Sequence, residues 1–351
     1  MNTIALQKRI NFATRRQTGL SLVELMISLT ISLVLLAGVT TLIVQQSGSR
    51  DELEKASRAI ENGRYAMQLL HDDIQLAGFY GEYSPASGVA YTVPADPCNV
   101  AVGSANSGWA TTPTVPVPIF GYAGAATDPT TATTCGLSNY QPNTEILVIR
   151  RTATATIAAA AAVAGTTYLQ VNRCGTVGTL FAMGTGGFTL QQKDCSTLAP
   201  LSKYIVRVYY ISSCSVCGTD TIPTLKMVEL VDGAKTIIPL VEGIENMQFD
   251  YGVDTSSDGS PDTYTTAPAA ADWANVMAVR VNLLARNIDT TTGYSDTKTY
   301  CLSGSPPFNA NGISTSCNTG GAMLFGPFNN AYKRHAYTEL VRAINPSGRR
   351  E

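Results

Sequence analysis

The sequence has few charged side chains and very few histidines. Of its 351 residues, 14% are Asp, Glu, Lys or Arg, and His71 and His335 are its two histidines. Two histidines so far apart argue against a Ser-His-Asp or Cys-His site, which needs a base beside its nucleophile. The glycine cluster at Gly184–Gly187 lacks the lysine and spacing of a phosphate-binding loop, so a turn is expected there. We therefore predict that the protein is not an enzyme.

A strong excess of positive charge is also lacking. The formal net charge is −2, whereas nucleic-acid binding requires a basic footprint on the protein surface. Basic residues do gather near the C-terminus, and we interpret them as a solvated terminus; they are Lys333, Arg334, Arg342, Arg349 and Arg350. No nucleic-acid partner is expected.

Proline and charge are nearly absent from a long segment near the N-terminus. Residues 20–44 are apolar or small except for Glu24, and no proline occurs between Leu20 and Ala77. About 20 apolar residues suffice to cross the hydrocarbon core of a membrane. A carboxylate inside such a segment is costly, which makes Glu24 a candidate functional residue. The preceding segment contains no acidic residue and should remain cytoplasmic; its basic residues are Lys8, Arg9, Arg15 and Arg16.

This order of basic segment, glycine, apolar run and acid resembles the type IV prepilin family, through the motif Gly19–Leu25. In that family a prepilin peptidase cuts after the glycine and methylates the new amine. The resemblance implies cleavage between Gly19 and Leu20, an N-methylated Leu20, and a retained helix whose Glu24 pairs with the amine of a neighbouring subunit. Losing residues 1–19 would change the net charge from −2 to −6. The alternative is an ordinary membrane protein or an uncleaved signal anchor.

Helical periodicity continues beyond the apolar run. Apolar or small residues recur every three or four positions, as on one face of a helix; they are Leu53, Ala56, Ile60, Gly63, Met67, Leu70, Ile74 and Ala77. Charged residues, including Asp72 and Asp73, are predicted on the other faces, and Gly78 is a plausible stop. We predict one helix over residues 20–77, with 20–44 in the membrane or a filament core and 45–77 docked on a soluble domain. A coiled-coil seam is the alternative.

All cysteines lie beyond the apolar run and their number is even. An exterior, oxidising location then predicts up to four disulfides; the eight residues are Cys98, Cys135, Cys174, Cys195, Cys214, Cys217, Cys301 and Cys317. The sequence leaves their connectivity open. Joining chain neighbours would give Cys98–Cys135, Cys174–Cys195, Cys214–Cys217 and Cys301–Cys317. Since only one C-x-x-C is present, structural bridges are favoured over zinc or redox chemistry.

The remaining chain, residues 78–351, is predicted to form one globular β-rich head. Residues 79–142 are expected to be long loops with short strands. Strands are predicted further along by runs of alternating or β-branched residues; they are Glu145–Arg150, Thr167–Asn172, Lys203–Ser212, Thr224–Val231, Ile244–Tyr251 and Val276–Arg286. The predicted fold class is α+β, a long N-terminal helix packed on a mostly antiparallel sheet with disulfide-stapled loops.

Several segments of the head resemble PilW-type minor pilins. They are Leu76–Gly81, Leu240–Gly252 and Val276–Arg286, with a looser match at Tyr332–His335 and Leu340–Arg342. The resemblance implies a minor pilin that primes type IV pilus assembly and lies near the pilus tip. Its partners would be prepilin peptidase, other minor pilins, the major pilin and a tip adhesin, first at the inner membrane and then on the cell surface. The alternatives are a minor pseudopilin of type II secretion and a membrane-tethered adhesin or binding module.

One acidic loop has the spacing of a calcium site. Asp254, Ser256, Asp258 and Asp262 occupy the first, third, fifth and ninth positions, with Gly259 at the sixth. Thr265 stands where an EF-hand has its bidentate Glu. Calcium is therefore the one cofactor considered, and an exposed Asp-Gly turn is the favoured alternative.

Overall fold

The computed structural model describes residues 19, 21–85, 89–101, 107–110, 114–175, 178–231, 234–304, 317 and 323–350. It divides into two compact units, Met1–Glu54 and Lys55–Glu351. The predicted leader lies outside the described residues up to position 18, as does Leu20.

Helix α1 spans Leu22–Leu76, close to the predicted limits of residues 20 and 77. Its continuity follows from the absence of proline and from residues with adequate helix propensity throughout. It is the helix among the described residues that is long and apolar enough to cross a membrane. In the first unit, large apolar side chains from Leu22 to Val44 are exposed.

Within the second unit, the C-terminal part of α1 buries one face. The buried positions are Gly63, Ala66, Met67, Leu70, Asp73 and Ile74. Burial of the predicted face is therefore confirmed for Gly63, Met67, Leu70 and Ile74. Ile60, which was predicted on the same face, is 40% exposed. Placing Asp73 on an outer face was wrong, because it lies three residues after Leu70 and so shares the buried face. Gly78 follows the helix with φ +72°, a left-handed conformation that suits glycine at a helix end.

Fifteen strands follow in the described residues. They are β1 Ala90–Thr92, β2 Thr114–Pro116, β3 Ile119–Tyr122, β4 Ile146–Ile157, β5 Tyr168–Val171, β6 Phe181–Gly184, β7 Leu201–Ser212, β8 Thr224–Val231, β9 Ala234–Glu242, β10 Ile244–Val253, β11 Thr263–Thr265, β12 Val276–Arg286, β13 Tyr300–Cys301, β14 Leu324–Phe325 and β15 Arg334–Arg342. Short 3₁₀ turns cover Ala159–Ala161 and Asp272–Asn275, and a short helix α2 covers Ile344–Gly348.

Two sheets form most of the head. The larger has seven strands: β3-β4-β7-β5-β6 in order, with β8 joining β7 to β9. The smaller has the order β11-β10-β12-β15. Both are antiparallel, while the small pair β1–β2 is parallel and β13–β14 is antiparallel. The predicted α+β class with a mostly antiparallel sheet is confirmed.

The seven-stranded sheet separates two apolar clusters. Strand β7 directs Tyr209 and Ile211 into a cluster shared with α1 and the four-stranded sheet. Its alternate residues face a second cluster with Trp109 and Tyr80; they are Tyr204, Val206, Val208 and Tyr210, the predicted face. Strand β12 is buried on both faces. Its polar Asn282 is buried because its amide donates to Asp250 Oδ2 at 3.1 Å.

Candidate functional site

The start of α1 is closed by Ser21 and Glu24. Ser21 Oγ accepts from the Val23 backbone N–H at 3.2 Å, and Glu24 Oε2 accepts from the Ser21 N–H at 3.2 Å. This reciprocal pair is a capping box, which satisfies two amides that have no partner within the helix. Glu24 thus lies in the first turn, where the helix dipole favours a negative charge. Gly19 is exposed, and Leu20 lies outside the described residues.

The helix surface from Leu22 to Val44 is apolar or small on every side except at Glu24. Exposed fractions of 52–74% are found for Leu22, Ile27, Leu33, Val34 and Leu42, among others in the same segment. A helix that is hydrophobic all round is stable only when lipid or protein covers it. This segment can therefore enter a membrane or the core of a helical assembly, and Glu24 is its one ionisable side chain.

A buried ionic cluster was not anticipated from the sequence. Asp73 is 3% exposed and accepts hydrogen bonds from Arg151 Nε at 2.8 Å, an Arg207 terminal nitrogen at 3.1 Å and Tyr209 Oη at 2.7 Å. Arg207 also binds Glu229, and these carboxylates raise the pKa of its guanidinium against the opposing effect of burial. The cluster joins the C-terminal part of α1 to β4 and β7. One feature of the sequence could have indicated that Asp73 is buried: it lies three residues after Leu70, on the same face of the helix.

The predicted calcium loop is held together by hydrogen bonds within the protein. Asp254 accepts from the Ser257 and Gly259 amides and from Arg350, and these donors lower its pKa although burial alone would raise it. Asp262 accepts from Thr255 and Ser256, Ser256 Oγ donates to Asp254, and Asp258 accepts from Ser260. Among the residues that the structure describes, no three Asp, Glu, His or Cys side chains are grouped to hold a metal. The hydrogen bonds of this loop are thus supplied by the protein itself, and calcium binding stays a prediction.

The eight cysteines form four disulfides, all joining chain neighbours. The pairs are Cys98–Cys135, Cys174–Cys195, Cys214–Cys217 and Cys301–Cys317. The Cys214–Cys217 bridge closes a turn after β7, and Lys226 Nζ lies 3.6 Å from Cys217 Sγ. Burial lowers the pKa of Lys226. Both sulfurs of the C-x-x-C sequence are thus used by a structural bridge.

Two family models match this chain. The prokaryotic N-terminal methylation motif matches residues 14–40, a range that includes Gly19, Leu20 and Glu24. The model described as type IV pilus-assembly protein W matches residues 208–345, from the end of β7 into α2. The matched ranges include the start of α1, β8, β9 and the four-stranded sheet, and they leave residues 1–13, 41–207 and 346–351 uncovered.

Among solved structures, the chain is similar to a type IV-like pilin from Thermus thermophilus. The two are 12% identical, and the alignment covers 59% of this chain and 81% of that one with a TM-score of 0.30. A comparison with curated proteins found no match.

The methylation motif lies on the capped, apolar start of α1, and the pilus-assembly match lies on the sheet that packs against its C-terminal part. Taken with the long helix and the disulfide-stapled antiparallel head, these findings support a type IV pilin of the PilW type.

Proposed function

We propose that this protein is a minor pilin that takes part in priming type IV pilus assembly and in the complex at the pilus tip. The observation that carries the proposal is the joint presence of the methylation motif and the pilus-assembly segment in one chain. Its role is structural rather than catalytic, in keeping with the two families that it matches.

The first step of the proposed mechanism is processing. Residues 1–19 hold the N-terminus in the cytoplasm until prepilin peptidase cuts the Gly19–Leu20 bond and methylates Leu20. Gly19 is exposed, which is in keeping with access of the peptidase to this bond.

The second step is entry into the filament. The apolar helix surface exchanges lipid for neighbouring pilin helices, and Glu24 pairs with the terminal amine of an adjacent subunit. A buried carboxylate is costly without a cation, so this pairing selects the axial position at which the charges meet. Other minor pilins and the major pilin are the proposed partners, with a tip adhesin beyond them. The head remains outside the membrane and later on the cell surface.

Glu24 can be tested without removing the helix cap. In a deletion strain, Glu24→Asp should restore pili more fully than Glu24→Gln, since Gln can still occupy the capping box but carries no charge. Glu24→Ala removes both functions and should restore least. The measurement is surface pilin released by shearing, with membrane levels of each variant as the control.

Full piliation by a normally expressed Glu24→Gln or Glu24→Ala variant would refute charge pairing. The minor-pilin role itself requires that deletion reduce pili and leave type II secretion intact. Loss of secretion with normal pili would instead indicate a pseudopilin. Loss of surface binding with normal pilus number would indicate an adhesin.

A further inference from the structure

A cavity of about 220 Å³ opens in the head between β3, the start of β4, β10 and the 3₁₀ turn at Asp272–Asn275. We call it the aromatic cavity. The lining residues that matter here are Phe120, Gly121, Tyr122, Glu145, Tyr251 and Trp273. They come from four separate segments of the chain, and all belong to the second unit.

Four aromatic rings are held around this cavity by contacts with one another. Trp273 lies 4.6 Å from Phe120 and 4.8 Å from Tyr251 between ring centroids, and Phe120 lies 5.0 Å from Tyr122. Their interplanar angles of 55–89° are tilted or edge-to-face. Aromatic faces carry partial negative charge, and rings gathered in this way attract a cation, most strongly when it is weakly hydrated.

Glu145 is a carboxyl group at the same cavity that has no cationic partner among the described residues. It is 2% exposed, and its Oε2 accepts a hydrogen bond from the Phe249 N–H at 2.8 Å. Burial raises the pKa of Glu145 well above its usual range; the Phe249 amide opposes this effect and Asp250 adds to it. A cation in the cavity would supply the missing charge, because buried carboxylates are normally paired.

Tyr251 brings a second polar group without a partner to the same cavity. It is 2% exposed, and its Oη has no hydrogen-bond partner in the part of the chain that the structure describes. A buried hydroxyl without a partner is destabilising, and the unused lone pairs of its oxygen can be offset by a positive charge nearby. The phenol lies over Gly121, where a Cβ would overlap Tyr251 Oη and contact Trp273. Glycine at position 121 therefore keeps this wall of the cavity in place.

We infer that the aromatic cavity binds a quaternary ammonium group, with the rings around its methyl groups and Glu145 as its counter-ion. A primary ammonium brings three N–H donors that need acceptors, whereas a quaternary group brings none. The cavity is smaller than the roughly 300–1,000 Å³ sites of drug-sized ligands, so it suits a head group rather than a whole large molecule. This binding role does not depend on the proposed role in pilus assembly.

The test is a titration of the full-length protein, purified in a maltoside detergent, with choline and with tetramethylammonium. Heat of binding and Trp fluorescence are the readouts, since Trp273 lines the site. The matched neutral ligand is 3,3-dimethylbutan-1-ol, which has the shape of choline without its charge. Saturable binding of both cations is expected, with affinity for the alcohol weaker by about tenfold or more because it forms neither the ion pair nor the cation–π contacts.

Two variants separate charge from shape. Glu145→Gln retains a carbonyl acceptor for the Phe249 amide and should weaken choline binding by about tenfold or more. Gly121→Ala fills the cavity wall and should abolish binding. Glu82→Gln, which alters a half-exposed acid elsewhere in the head, is the control and should bind as the native protein does.

Thermal unfolding verifies that each variant is folded; should Gly121→Ala not fold, Glu145→Gln decides the question. The inference is overturned by any one of three results. These are absence of cation binding to the folded native protein, equal affinity for the alcohol, and undiminished binding by folded Glu145→Gln.

Discussion

Asp73 and Arg151 form a buried ion pair, with Asp73 Oδ1 2.8 Å from Arg151 Nε. Asp73 lies on the apolar face of α1, and Arg151 lies on β4 in the seven-stranded sheet. Tyr209 and Arg207 donate to the same carboxylate from β7. Apolar packing alone tolerates small slips of a helix on a sheet, whereas this set of directed bonds fits one position of α1 along the sheet.

Asp73→Asn should therefore destabilise the head strongly. The variant leaves Arg151 buried without its anion, and breaking a buried pair from one side costs about 3–5 kcal/mol. Asp72→Asn is the matched control, because Asp72 is exposed and such surface changes stay within about 0.5 kcal/mol. Urea unfolding of both variants in detergent measures the difference. Equal free energies of unfolding would show that the cluster does not anchor the helix.

Gly63→Ala should also destabilise the head, although alanine is the better helix former. A Cβ at position 63 would overlap the ring of Tyr337 on β15. The ring would have to move, and overpacking of this kind costs about 1–3 kcal/mol. Gly48→Ala is the control within the same helix, since a Cβ there has no neighbour within 4 Å. A rise in melting temperature for Gly63→Ala would contradict the close approach.

The four disulfides should contribute unequally to stability. Cys98–Cys135 links residues 37 apart, whereas Cys214–Cys217 links residues three apart. The loop-entropy relation gives about 4 kcal/mol for the longer loop and about 2 kcal/mol for the shorter one. Paired replacement of each bridge by alanine, followed by denaturant unfolding, compares them. A larger loss for the short bridge would show that strain or packing outweighs loop entropy.

Glu145 should make the head less stable as the pH rises. Its pKa is raised in the folded state by burial, so between the ordinary value of 4.5 and the raised value the folded protein binds more protons than the unfolded chain. The contribution of Glu145 to the free energy of unfolding is therefore fully present below pH 4.5. It is lost as the pH rises through the raised pKa, where Glu145 ionises beside Asp250 and Tyr251. Glu145→Gln should remove that fall and raise Tm at neutral pH. Tm is measured from pH 4 to pH 8 for both proteins. The same change of Tm with pH in both would contradict the prediction.

Much of the helix and the sheet centre could be predicted from local patterns. The absence of proline and the three-four spacing placed α1 within two residues at each end. Strands β8 and β12 have the predicted limits, because both are runs of β-favouring residues that pair on two sides.

The edges of the sheets were not predicted. Strand β9 carries Pro239 and pairs on one side with β8, while β15 is rich in charge and pairs on one side with β12. Edge strands face solvent, so they lack the alternation that marks a buried strand. The aromatic cavity could not be predicted from local sequence patterns, for a different reason. Its residues lie between positions 120 and 273 and meet only through the tertiary fold.

The central claim is that Leu20 becomes the first residue of a pilin. Its most direct test is the intact mass of the native protein, taken from membranes and from sheared surface filaments. The account predicts a mass that begins at N-methylated Leu20, contains four disulfides and occurs in both fractions. A mass that retains residues 1–19, with none of the protein in the filament fraction, would contradict it and leave an ordinary membrane-anchored protein.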